Sequence, residues 1–157
     1  LDNPNQRVRE GQWRRMMLRL RESIFYCSHC NAENFFDPEP NKDNKQDLCW
    51  NCKQKLELPY RIVLNNKVEN TIMLTHDAKL YPHHLKSANK RDFSKPLAKI
   101  VQHPQDSSIW GLKNLSNAKW QVTTKQGKEK EVNSGQSVVL MSQVKIDFGK
   151  IVGQIIY

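Results

Sequence analysis

No apolar run in this 157-residue chain is longer than four residues, the longest being 138–141. A membrane-crossing helix needs about 20 such residues, so none is expected, and the N-terminus has no signal-peptide pattern. The sequence therefore reads as cytoplasmic, with no membrane partner. It also lacks a Gly-rich phosphate loop, an internal repeat and a low-complexity tract. Asp147-Phe148-Gly149 and Arg91-Asp92 spell pieces of a phosphotransferase active site, but no His precedes Arg91 and no Asn follows it at the required interval. Ser137 and Ser142 have no base nearby in sequence, and nothing joins them to His76 or His103. No catalytic residue is assigned, and the segment is expected not to be an enzyme.

What is present is polar and basic. With 38% apolar residues, 26% charged residues and a mean hydropathy of -0.76, the chain can build a core but must leave much of itself at a surface. The net charge of +9 is uneven. Residues 1–26 carry six Arg against three acids, residues 27–59 four Lys against six acids, and residues 60–157 fifteen bases against seven acids. The middle segment is thus the one acidic part of a basic protein, which argues against a nucleic-acid reader there. The first residue is Leu1, so the chain is expected to be a segment of something longer.

Trp13, Met16, Met17, Leu20 and Ile24 recur at i, i+3, i+4, i+7 and i+11, which predicts one apolar stripe on a helix over residues 12–24. Arg14, Arg15, Arg19 and Arg21 fall on its other faces. Asn3 before Pro4 could open the helix earlier, although Gly11 weakens that part. After residue 59 the texture changes to short β-branched runs separated by turn residues. Strands are expected at 60–65, 70–75, 97–103, 108–114, 119–124, 128–132, 137–141, 144–149 and 152–157, with turns at 65–67, 126–127 and 133–135. Nine strands without a helical run predict an antiparallel β-sandwich, with Trp110 and Trp120 in its core. Residues 80–96 read as a longer polar loop.

Cys27 and Cys30 are two residues apart, as are Cys49 and Cys52, with eighteen residues between the pairs. Two Cys-x-x-Cys turns can bring four thiolates to one tetrahedral shell, and the spacing is that of a zinc ribbon. Disulfides are the competing reading, disfavoured in a reducing compartment. About thirty residues cannot bury enough apolar surface to fold alone, and structural zinc supplies roughly 10–16 kcal/mol of apparent binding energy. His29 is expected at the surface. Phe25, Tyr26, Phe35, Phe36 and Trp50 are expected to pack the ribbon against its neighbours.

The run NTIMLTHDAKLYPHHL, the run IWGLKNLSNAKW and the run VNSGQSVVLMSQVKIDFG together resemble a forkhead-associated (FHA) domain, a β-sandwich that binds phosphothreonine peptides. The likeness covers residues 59–157. An N-terminal helix, a four-cysteine ribbon and an FHA-like sandwich in that order also resemble the C-terminal region of some bacterial serine/threonine protein kinases. The resemblance matches His84 to the family's turn His, places Pro82 where the family has Ser, and offers Asn117 for the loop Asn. The chain contains no Gly-Arg dipeptide to supply the family's phosphate-binding Arg.

The expected organisation is a helix over 1–26, a zinc ribbon over 27–58 and an FHA-like sandwich over 59–157. The expected function is that of a non-catalytic, zinc-stabilised interaction or regulatory module with a protein or phosphoprotein partner. Its partner-facing edge is expected at His83, His84 and Lys86. Two alternatives are a phosphothreonine-peptide reader and a nucleic-acid-binding ribbon that uses Arg14, Arg15 and Arg19.

Overall fold

A computed structural model of the chain describes residues 7–37, 48–85 and 92–157. Asn3, Pro4, Lys86, Lys90, Arg91 and most of the segment between Cys30 and Cys49 lie outside the described residues. The chain is mainly β, with an N-terminal helix, antiparallel sheets and the four cysteines gathered together.

Helix α1 runs Glu10–Ser23. Its first turn is held by the Gln12 side-chain oxygen, which accepts the Arg9 N–H at 2.7 Å. It stops one residue short of the expected end because Ile24 is taken into strand β1, Ile24–Tyr26, which pairs with β2, Glu33–Phe35, in a small hairpin. This hairpin is not expected from the sequence, where the helical stripe runs on through Ile24. The helix also presents a surprise: Trp13, Met16, Met17 and Leu20 face solvent, and no α1 side chain is buried.

All nine expected strands form. They are β3 (Arg61–Leu64), β4 (Thr71–Met73), β6 (Ala98–His103), β7 (Asp106–Asn114), β8 (Trp120–Thr123), β9 (Glu129–Val132), β10 (Ser137–Val139), β11 (Lys145–Asp147) and β12 (Val152–Ile156). Beyond β1 and β2, a short strand β5 (Lys79–Leu80) and a single helical turn α2 (Pro82–Leu85) went unforeseen. Leu80 and α2 fall in the stretch read as loop. Pro82 opens α2 at the position where a missing N–H costs nothing, and four residues are too few for a helical period.

The strands form two antiparallel sheets, one ordered β10-β7-β6-β5 and the other β4-β3-β12-β11-β8-β9. Alternate residues of each strand point into the space between them, as strand geometry requires. One cluster joins Ile62 and Leu64 of β3, Ile100 of β6, Leu112 of β7, Ile146 of β11 and Ile155 of β12. Trp120 is buried in this cluster, edge-on to Phe148 at 4.9 Å between ring centroids. Trp110 is only partly buried and packs on the rim of the cluster. The turns fall where expected, with Asn65 and Asn66, Gly127 and Gly135 all in left-handed conformation.

One polar side chain sits inside this core. Asn114 is wholly buried, and its amide donates to the Ala118 and Val132 carbonyls at 2.8 and 3.1 Å. Its oxygen accepts the Ser116 N–H at 2.9 Å and the Ser116 hydroxyl at 2.7 Å. Every polar atom of the amide is paired, as burial demands, and the loop between β7 and β8 is tied to the core.

Candidate metal centre

Two turns of the same design bring the four cysteines together. In the first, the Asn31 N–H reaches back to the Cys27 carbonyl at 2.9 Å and the Cys27 N–H donates to Ala32 at 2.9 Å; in the second, Lys53 bonds Cys49 at 3.0 Å and Cys49 bonds Gln54 at 2.8 Å. The residue after each second cysteine, Asn31 and Lys53, takes φ 59°. Left-handed backbone at that position curls the chain so that the amides that follow point at sulfur. The β1–β2 hairpin holds the first turn, and a bridge between Leu48 and Lys55 closes the second.

All four Sγ atoms lie within 4.8 Å of one another. Cys27 and Cys52 are 3.7 Å apart, Cys30 and Cys49 3.6 Å. A disulfide needs about 2.05 Å, and none joins them. With metal–sulfur bonds of about 2.3 Å, the edge of a tetrahedral thiolate shell is about 3.8 Å. The cysteines could therefore hold a metal ion without rearrangement.

The surroundings are those of a thiolate cluster. Cys30 is held below the usual thiol range by the Ala32 N–H and the Asn51 amide, the latter at 3.6 Å. Burial works against the Cys49 thiolate, but the Cys52 and Asn51 N–H groups and the Asn34 amide outweigh it and bring the thiol to about 6. At Cys52 the Gln54 N–H favours ionisation, yet burial and the neighbouring sulfurs push it up to about 12. Four sulfurs this close repel one another's charge, and a cation among them removes that repulsion. Asn34 and Asn51 were not singled out from the sequence; an Asn beside a Cys-x-x-Cys turn is the only signal they leave.

The ring expectations hold only in part. Phe25 is buried and Tyr26 partly so, but Phe35 and Trp50 are 52% and 65% exposed. Trp50 is fixed by its indole N–H, which donates to the Glu33 carbonyl at 2.7 Å, and not by packing. His29 is exposed, as expected.

The joint between ribbon, helix and sandwich is polar. The His84 Nδ1 accepts the Tyr81 N–H at 2.9 Å and its Nε2 meets Glu22 of α1 at 2.8 Å. Tyr26 donates to Asp77 at 3.4 Å, and Arg61 lies over the Phe36 ring at 5.4 Å. Burial, with the Asp77 and Glu33 charges, holds the Tyr26 hydroxyl above its ordinary value. His84 is thus turned inward with an 8% exposed side chain, and the ring nitrogens of His83 are buried beside Tyr81 and Phe93. This corrects the expected partner-facing edge: both imidazoles belong to an internal joint, while Lys86 lies outside the described residues.

Glu22, His83 and His84 also gather three possible ligand atoms within 4.8 Å. Because Nδ1 of His84 takes a backbone N–H, its Nε2 must carry the proton it gives Glu22. A metal on that nitrogen would require an imidazolate, so Glu22 and His84 read as a hydrogen-bonded clasp.

No helix among the described residues is long and apolar enough to cross a membrane. No family model matches the chain, and neither a curated protein nor a solved structure matches it.

Proposed function

We propose that this chain is a non-catalytic, zinc-stabilised protein-interaction and regulatory module, the C-terminal part of a serine/threonine protein kinase. The observation that carries the metal half is the sulfur tetrahedron, whose edges of 3.6 and 3.7 Å fit zinc–thiolate bonds. When bound, the ion supplies folding energy to the ribbon, because four thiolates leave it no open position for water or substrate. The clasp from Glu22 to His84 and the contact from Tyr26 to Asp77 then turn the ribbon into a fixed spacer between α1 and the sandwich. The kinase parentage rests on the resemblance of the layout.

Elemental analysis of protein purified under reducing conditions tests the metal, with one zinc per chain expected and no bound metal overturning the assignment. The coding sequence upstream of Leu1 tests the parentage, where a kinase catalytic domain is expected. A second reading, a phosphothreonine-peptide reader, is favoured by one observation: Lys95, Ser116 and Asn117 line a single cleft at one end of the sandwich. Binding to phosphothreonine peptides and not to their dephosphorylated forms would establish it; equal or absent binding would remove it.

A further inference from the structure

The outward face of α1 carries a row of exposed large apolar side chains. Trp13, Met16, Met17 and Leu20 are 48%, 54%, 56% and 47% exposed, at i, i+3, i+4 and i+7, while the side turned toward the protein carries the half-buried Leu18 and Glu22. The stripe does not end with the helix. Leu20, Phe35, Phe36 and Val68 line one cleft at its C-terminal end, with Phe35 and Val68 themselves exposed. A row of large side chains at helical spacing, leading into a cleft of mixed apolar and charged lining, is a surface a second helix packs on ridge by groove.

Charge decides among the occupants. At 100° per residue, Arg14, which pairs with Glu10, and Arg19 fall on opposite flanks of the stripe, both exposed, and residues 7–23 carry six Arg against two Glu. A second copy of α1, parallel or antiparallel, would set arginines against arginines. At the cleft the sign reverses, since Asp37 and Glu69 line it with Arg19. A uniformly anionic surface would be repelled there, whereas one helix can carry acids along its length and a basic residue at its end. We propose that the Trp13–Met17–Leu20 face and the adjoining cleft bind an acidic amphipathic helix of a partner protein. This rests on the interaction-module reading and names the chemistry of its partner.

The test is fluorescence anisotropy on the metal-loaded chain. The probe is a labelled peptide with Leu at i, i+3, i+4 and i+7, Glu between them and Lys at one end. Its counterpart with Lys in place of Glu, and vesicles of mixed anionic and neutral lipid, serve as competitors. Saturable binding of the Glu peptide is expected, weakened about tenfold or more by Trp13→Ala or Met17→Glu. The double substitution Arg14→Glu, Arg19→Glu should transfer preference to the Lys peptide. These positions are exposed, so urea midpoints and zinc content should match the parent chain. Absence of Glu-peptide binding, or equal binding by parent and Trp13→Ala, overturns the proposal. So does vesicle binding or self-association that the same substitutions abolish in place of peptide binding. A partner bound through another face would leave the interaction-module reading standing while this inference fell.

Discussion

The ribbon and the sandwich are held together by opposite means. Between its sheets the sandwich buries a single continuous cluster of aliphatic and aromatic side chains, with Trp120, Ile62, Leu112, Ile146 and Ile155 almost wholly out of solvent. The ribbon has one fully buried ring, Phe25, and otherwise buries Cys27, Cys49 and Asn34 while leaving Phe35 and Trp50 in solvent. One region is filled by apolar side chains; the other has sulfur where a core would be. The contrast also predicts which perturbations travel. Damage to the metal centre should stop at the joint, and damage to the sandwich core should spread through both sheets.

Metal removal is the sharpest way to break the comparison. Chelation, or Cys49→Ser, should cost the ribbon about 10 kcal/mol of apparent binding energy. Amide resonances of residues 24–36 and 48–55 should collapse while those of β6, β7 and β12 keep their positions. Loss of every resonance at once would mean the two regions share one cooperative unit. Next in size, Trp120→Ala should cost about 3–5 kcal/mol in urea unfolding of the sandwich, with zinc content unchanged. Asn114→Ala should cost about 3 kcal/mol, because a wholly buried amide gives up its bonds to the Ala118 and Val132 carbonyls and to Ser116. Gly153→Ala belongs in the same range at about 2 kcal/mol: an added Cβ would lie 2.5 Å from Ile62 and 3.1 Å from Phe148.

Smaller effects sharpen the joint itself. His84→Ala leaves the Tyr81 N–H and Glu22 without their shared partner and should cost about 1–2 kcal/mol. It should also raise amide exchange in α1 without touching the metal. The smallest is a pH effect at Asp77. Burial opposes its ionisation, but the Thr75 hydroxyl, at 2.7 Å, and a backbone N–H outweigh that and hold its carboxyl below the ordinary value. Its folded pKa is therefore depressed, so the stabilisation is present above the ordinary carboxylate range and is lost as pH falls through the folded value. Asp77 is exposed and screened, which keeps the effect well under 1 kcal/mol. Asp77→Asn should remove it from the acid limb of a stability-versus-pH curve.

Much of the fold was legible in the residues because it rests on local pattern. Alternation in RIVL, WQVT and KID, cut by Asn65-Asn66, Gly127 and Gly135, located every long strand. The spacing of the cysteines marked their cluster, because a shared thiolate shell constrains spacing directly. The remaining pieces are short and depend on pairing or on a single turn, with no periodicity of their own. β2 exists because β1 pairs with it, β5 because β6 does, and α2 because Pro82 opens a single turn. Glu22 and His84, 62 positions apart, leave no trace of their clasp in a linear chain.

The sequence by itself determined the β-rich class, the strand positions and the four-cysteine cluster, since each follows from periodicity or spacing within a few residues. Only the tertiary structure decided which way the α1 stripe faces. Amphipathic spacing says that Trp13, Met16, Met17 and Leu20 share a face; it does not say what that face meets. Glu22 reaches His84 across the joint and Arg21 lies over the Tyr81 and Phe93 rings, and those contacts leave the apolar face turned outward to solvent.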